Sequence, residues 1–228
     1  SIRLNAQELT SLNRKAIRKI RGREIGMVFQ DPMSSLNPVH PVGRQIGESL
    51  RLHFGVSRRV AKARAIEMLD RVGIPDAARR AGDFPHEFSG GMQQRAIIAM
   101  ALACDPKLLI ADEPTTALDV TEQNQIVALV RDLQQERGMA VLWITHDLGV
   151  VAEIADRVAV MYLVKLVEIA DSDELFDNPR HPYTRALISA IPVIDQTEQR
   201  QVIRLEGDLP SPSAPPQGCH FHTRCPDV

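Results

Sequence analysis

Two adjacent carboxylates, Asp112 and Glu113, close the apolar run KLLIA at residues 107–111. At the end of a buried strand such a pair can divide two tasks: the first holds Mg2+, directly or through water, and the second accepts a proton from an attacking water. Two further apolar runs end in polar groups. EIGMVF at 24–29 is followed by Gln30 and Asp31, and AVLWIT at 140–145 by His146 and Asp147. A fourth feature is FSGGMQQR at 88–95, where Ser89, Gly90 and Gly91 stand at the entrance of a helix. Inside a helix glycine costs ~1 kcal/mol relative to alanine, so a pair of them suggests a task. Free N–H groups and the positive end of the helix dipole attract phosphate, and glycine lets a ligand approach the backbone without a Cβ in the way. Each feature alone has a plainer explanation: a strand running into a helix N-cap, a serine cap followed by flexible glycines, a capping or core histidine.

Alternating elements position these groups. Glu24–Phe29 reads as a strand and Gln30–Pro38 as a proline-punctuated loop; two amphipathic helices follow at about Val42–Phe54 and Ser57–Val72. After the glycines, Met92–Ala103 reads as a helix, Lys107–Ala111 as a strand, Thr121–Arg137 as a helix, Ala140–Thr145 as a strand and Asp147–Ala155 as a short helix capped by its aspartate. Fully apolar strands alternating with helices predict a parallel sheet covered on both faces. The all-helical stretch from about 42 to 104 is then an insertion into that sheet. Ligands of such sheets sit at the carboxyl ends of the strands, where Gln30, Asp112, Glu113 and His146 fall.

Composition narrows the classes. A chain of 228 residues with 44% hydrophobic and 25% charged content, a formal net charge of −2 and three cysteines is globular, not disulfide-framed, and lacks the basic excess of a nucleic-acid binder. The basic cluster Arg14, Lys15, Arg18, Lys19, Arg21 and Arg23 reads as a solvated face. The longest apolar run, Ala96–Cys104, is far short of the ~20 residues a spanning helix needs, so a membrane role is peripheral and the reducing cytoplasm is the expected compartment.

Taken in order, the features converge. Gln30 after a strand, Ser89-Gly90-Gly91 opening a helix, LLIADEP, TALD at 116–119 and TH at 145–146 resemble the nucleotide-binding subunit of ATP-binding-cassette (ABC) transporters. FQDPMSSLNP, FSGGMQQR, NPRHPYTRAL and the tail GCHFHTRCP are similar to the ATPase subunits of bacterial peptide and nickel importers. The resemblance implies an α/β P-loop NTPase (RecA-like) parallel sheet core with an inserted helical subdomain, as a cassette over 1–177 and a C-terminal extension over 178–228. It implies ATP and Mg as cofactors, with Asp112 supporting Mg and Glu113 as the catalytic base. Gln30 is implied as the glutamine that contacts the metal or attacking water, His146 as the residue bonding the γ-phosphate, and Asp119 as the aspartate communicating between subunits. Ser89, Gly90 and Gly91 are implied to meet ATP held by another subunit. The implied partners are a second cassette subunit, membrane permease subunits and, indirectly, an extracytoplasmic binding protein; nucleic acid is not among them. The implied location is the cytoplasmic face of the inner membrane.

Several features depart from the pattern. No G-x-x-x-x-G-K-[ST] occurs in these residues, so the phosphate-wrapping loop is absent and the sequence reads as an N-terminally incomplete cassette. Met92 stands where the general signature has glutamine, a feature shared with the peptide-importer branch. Val164, in MYLVKLVE, stands where relatives usually have glycine; if that turn needs a positive φ, valine fits it poorly. Residues 208–217, DLPSPSAPPQ, read as an extended linker. Beyond it, Cys219 and Cys225 lie in a mobile tail that the resemblance associates with an iron–sulfur cluster, although two cysteines are half of a four-thiolate set. Cys104 reads as buried packing. Three classes follow: an ATPase driving peptide, dipeptide or nickel import, a soluble cassette ATPase acting on nucleic acid, and a non-hydrolysing or regulatory cassette fragment.

Overall fold

The structure, a computed structural model, describes residues 1–30, 35–116, 118–191 and 202–228. It divides into two compact units, Ser1–Thr145 and His146–Val228. In the first, a small antiparallel pair, β1 (Arg3–Leu4) and β2 (Gln7–Glu8), precedes helix α1 (Arg14–Ile20). Asn13 caps α1 by accepting the Ala16 N–H, and Arg14, Lys15, Arg18 and Lys19 are exposed, the solvated face their spacing predicts. The central element is a parallel sheet in the order β3 (Ile25–Val28), β4 (Leu108–Asp112), β5 (Ala140–Ile144). Between β3 and β4 lie α2 (Val42–Phe54), α3 (Arg58–Arg71), α4 (Ala77–Arg80) and α5 (Gly90–Leu102); α6 (Val120–Arg137) links β4 to β5. Four helices thus lie between two neighbouring strands of the sheet.

The register fixes which side chains share a face. Gly26 pairs with Leu109 and Val28 with Ala111, and these in turn with Val141 and Trp143. Val28, Leu109 and Ala111 are fully buried, and Val28 and Leu109 join a core with Ile97, Ile98 and Leu102 of α5 and Ile126, Val130 and Leu133 of α6. The approach of α5 is as close as backbones allow: a Cβ on Gly26 would lie 2.5 Å from the Ala101 carbonyl oxygen. The alternate positions point the other way, and there Met27, Phe29, Leu142 and Ile144 are exposed. Within the first unit the described helices share the core on one face, so a sheet covered on both faces is not what that unit's described residues form.

Element ends also differ from the sequence reading by a residue or two. Helix α5 begins at Gly90, not Met92, because the first-turn N–H groups need no intrahelical acceptor and glycine is tolerated there. Strand β4 extends to Asp112, which pairs with Ile144. Cys104 is buried, as expected; burial, and then the neighbouring Asp105 charge, push its thiol up to about 11. No described helix is long and apolar enough to cross a membrane.

In the second unit, α7 (Leu148–Ile154) precedes the hairpin β6 (Arg157–Tyr162) and β7 (Lys165–Asp171), followed by α8 (Ser172–Asp177) and α9 (Pro182–Ser189). Val158, Val160, Leu175 and Ile188 form its small core. Tyr162 pairs with Lys165, leaving a two-residue loop in which Leu163 and Val164 have φ of 44° and 64°. That is the primed turn that favours glycine or asparagine, so Val164 does sit where a Cβ is disfavoured.

The tail overturns the expectation of mobility at its cysteine end. Residues 208–217 form neither helix nor strand. Beyond them Phe221 is 1% exposed, its ring 5.1 Å from Tyr162 and 5.5 Å from both His181 and Tyr183. His220 contacts the Leu163 carbonyl through Nδ1 at 3.0 Å, and Arg185 pairs with Asp227. Burying one aromatic among others holds this segment against the hairpin loop and α9.

Candidate functional site

The parallel register brings two of the anticipated residues together. Val28 pairs with Ala111, so Gln30 and Glu113 each lie two residues past a paired position. There the Gln30 Nε2 donates to Glu113 Oε2 at 3.0 Å, and the Thr116 hydroxyl donates to the same oxygen at 3.0 Å. The backbone of Glu113 is unusual. Its φ is 44°, a left-handed value rare for a residue with a long side chain and doubly so before a proline, which favours extended backbone. Its N–H donates to the Ile144 carbonyl at 2.9 Å, and its carbonyl accepts from Thr116 N at 3.4 Å. Strain of this kind costs of order 1–3 kcal/mol and persists where the surroundings over-determine it. What it achieves here is to turn a carboxylate out of the strand direction and toward Gln30.

Asp112, the last residue of β4, is half-buried and by alternation belongs to the opposite face from Leu109 and Ala111. One carboxylate with an amide beside its neighbour fits the protein's share of a Mg2+ site, because that ion keeps several waters and takes its other ligands from phosphates. Among the described residues no three His, Cys, Asp or Glu side chains gather as a closed metal site. Asp31, next to Gln30, lies outside the described residues. His146 follows β5 by two positions and opens the second unit. Asp147 caps α7, accepting the N–H groups of Gly149 and Val150 at 2.9 and 3.3 Å.

The entrance of α5 separates the two glycines by cause. Ser89 is the N-cap, its Oγ accepting the Met92 N–H at 3.3 Å, which leaves its proton for another acceptor. A Cβ on Gly91 would lie 2.5 Å from a carboxylate oxygen of Glu122, so packing against α6 explains that glycine. Gly90 has no such reason. It is exposed, its φ is not positive, and a Cβ there would meet nothing within 4 Å. The fold leaves open space at the end of a helix dipole, the space an anion would use.

Glu122 is a site neighbour that the sequence reading missed. Asp119 caps α6 by accepting the Glu122 N–H at 2.8 Å, and D-x-x-E at a helix start reads as a local capping pair; nothing in that pattern signals a carboxylate lying over the next helix's entrance. Gln94 was missed as well. It is 1% exposed and donates through Nε2 to the Pro114 carbonyl, joining α5 to the segment that carries Glu113. In the tail, Cys219 is exposed and Cys225 half-buried, and His222 directs Nδ1 to the Cys219 carbonyl at 2.7 Å. Two thiolates do not furnish the four ligands of an ordinary cluster.

Comparison with known proteins gives this geometry a setting. Residues 1–116 match the ABC transporter family, and residues 167–228 match the oligopeptide/dipeptide transporter C-terminal region. A peptide import ATP-binding protein of Brucella melitensis biotype 1 is 57% identical over 223 residues, covering 96% of this chain and 66% of the relative. One of Brucella abortus (strain 2308) is 55% identical over 225 residues, covering 99% and 68%. The chain thus spans about two thirds of the length of the curated relatives it matches. Among solved structures, the ATP-binding cassette MJ0796, a dimer in a post-hydrolysis state bound to ADP and Pi, is 29% identical with a TM-score of 0.66, covering 74% of this chain and 72% of that one. A strand-end carboxylate held by a glutamine, an inserted helical region and a family match over half the chain agree, and the chain belongs to the ABC transporter family.

Proposed function

We propose that the full-length protein is the ATP-hydrolysing subunit of an importer for oligopeptides or dipeptides, bound peripherally to the cytoplasmic face of the inner membrane. The observation that carries this is Glu113, turned by a left-handed backbone to the carboxyl end of the sheet and held there by Gln30 and Thr116. In this reading Glu113 accepts a proton from the water that attacks the γ-phosphorus, while Gln30 orients carboxylate and water. Asp112 would hold Mg2+, which supplies charge neutralisation on the phosphates when bound. His146 contributes a hydrogen bond to the γ-phosphate. The Ser89 hydroxyl and the backbone at Gly90 and Gly91 meet the nucleotide of a second cassette subunit, and Asp119 reports between the two. Residues 1–228 contain no G-x-x-x-x-G-K-[ST], so in this reading they do not themselves supply the loop that wraps the α- and β-phosphates. The cassette then takes in 1–177, and 178–228 is the extension, in which an iron–sulfur cluster would require thiolates besides Cys219 and Cys225.

What supports the peptide substrate class is the family of the C-terminal region and the names of the relatives; the partners follow as permease subunits and, through them, a binding protein. Phosphate release from MgATP by the full-length protein, alone and co-purified with its permease, tests the reading. ATP-dependent turnover that rises in the permease complex is expected. A full-length protein that neither binds nor hydrolyses ATP, or that co-purifies with RNA in place of a permease, overturns it.

A further inference from the structure

Gln94 is the side chain whose placement the fold alone explains least. It is 1% exposed, and its Nε2 donates to the carbonyl of Pro114, the residue after Glu113. The other end of the amide, Oε1, is buried with no hydrogen-bond partner among the described residues. A half-paired buried amide is a net cost to folding, and an apolar side chain of the same size would pack α5 equally well. Its neighbour Gln93 differs in this respect, being half-buried and donating to the carbonyls of Pro85 and Phe88 at 2.9 and 3.2 Å, local contacts that close the loop before the helix.

The segment that Gln94 holds is the strained one. Glu113 has a φ of 44° directly before Pro114, and such a backbone relaxes unless fixed on both sides. On one side its N–H is held by the Ile144 carbonyl of β5. On the other, the Pro114 carbonyl is held by Gln94. We infer that Gln94 is a positioning residue for the base: it locks the Glu113-Pro114 turn to α5, so the helix whose entrance is Ser89 to Gly91 and the carboxylate of Glu113 move as one piece. This role rests on Glu113 being the catalytic base.

The test uses full-length protein and a double-mutant cycle. Gln94→Met keeps side-chain length and leaves the Pro114 carbonyl without its donor. It is expected to lower kcat by about ten- to a hundredfold through misplacement of the base, with KM for MgATP and equilibrium ATP binding changed by less than about twofold. Placed on Glu113→Gln, the same change should lower the residual rate by less than about twofold, because the residue it positions is already gone. Gln94→Glu supplies the conservative comparison. Its buried carboxyl stays protonated at low pH and can donate to Pro114, so its kcat should approach the parent's at low pH and fall as pH rises. Should Gln94→Met fail to fold, that pH profile decides the matter, a parental profile counting against the role. Parental kcat in Gln94→Met, or an equal loss with and without Glu113, overturns the inference. Parental turnover in Glu113→Gln alone would instead remove the base assignment, and the role of Gln94 with it.

Discussion

A methyl group added at Gly90 would meet no atom within 4 Å, and in the first turn of a helix alanine is favoured over glycine by up to about 1 kcal/mol. Gly90→Ala should therefore melt at the same temperature as the parent or higher. In the full-length protein it should nevertheless weaken ATP-dependent association of subunits and turnover, because the open space is what a phosphate would fill. Unchanged turnover would mean that the glycine serves nothing at this site. Val164 presents the opposite case. It is 76% exposed with a φ of 64°, so Val164→Gly loses no packing. Relief of a disfavoured backbone, of order 1–2 kcal/mol, is offset in part by the greater freedom glycine has when unfolded. A net gain of about 1 kcal/mol is expected, read as a higher unfolding midpoint in urea; a lower midpoint would show that the turn does not strain valine. The sequence revealed both residues because glycine, and its absence, mark backbone requirements. Gln94 and Glu122 escaped notice because their roles depend on tertiary approach: an amide reaching a carbonyl twenty residues away, and a carboxylate lying against another helix's first turn.

Helix α9 carries a pH dependence that its own capping dictates. His181 is its N-cap, accepting the Tyr183 N–H through Nδ1 at 3.1 Å, a contact that requires that nitrogen unprotonated. Burial lowers the His181 pKa below its usual 6.5, against the pull of Glu168. Glu168 accepts the N–H groups of Arg180 and His181 at 2.8 and 3.0 Å; burial alone would raise its carboxyl, but the hydrogen bonds it accepts hold it below the usual 4.5. Both groups act in the same direction. As pH falls through 6.5 the unfolded chain takes up the histidine proton before the folded one does, and stability drops until the folded pKa is passed. Glu168 adds a second loss below 4.5. The unfolding midpoint of the second unit should fall between about pH 7.5 and about pH 5.5, and His181→Asn, which keeps a capping oxygen, should flatten that fall. An equally steep fall in the variant would place the titrating group elsewhere. Among the described residues, periodicity located each helix of eight or more residues before α9, because apolar spacing and caps are local signals. It could not foresee that Phe221 anchors the tail beside His181, since an aromatic after a proline-rich linker has no local pattern that announces its pocket.

At the scale of the whole chain, the sheet leaves Met27, Phe29, Leu142 and Ile144 exposed on one face. Fully apolar strands made a doubly covered sheet the natural expectation, because an apolar run by itself does not say which of its two faces a helix of the same unit covers. The order of strand-end residues was legible because parallel strands place all their carboxyl ends together; the clamp of Gln30 and Thr116 on Glu113 needed the register. That clamp is the centre of the account, and Glu113→Gln in the full-length protein tests it most directly. Single-turnover hydrolysis of ATP, measured beside equilibrium ATP binding, should show binding preserved and hydrolysis slowed by roughly two to four orders of magnitude, the range for loss of a general base. Hydrolysis at the parent rate would contradict the account, and the proton would then have to leave by another group.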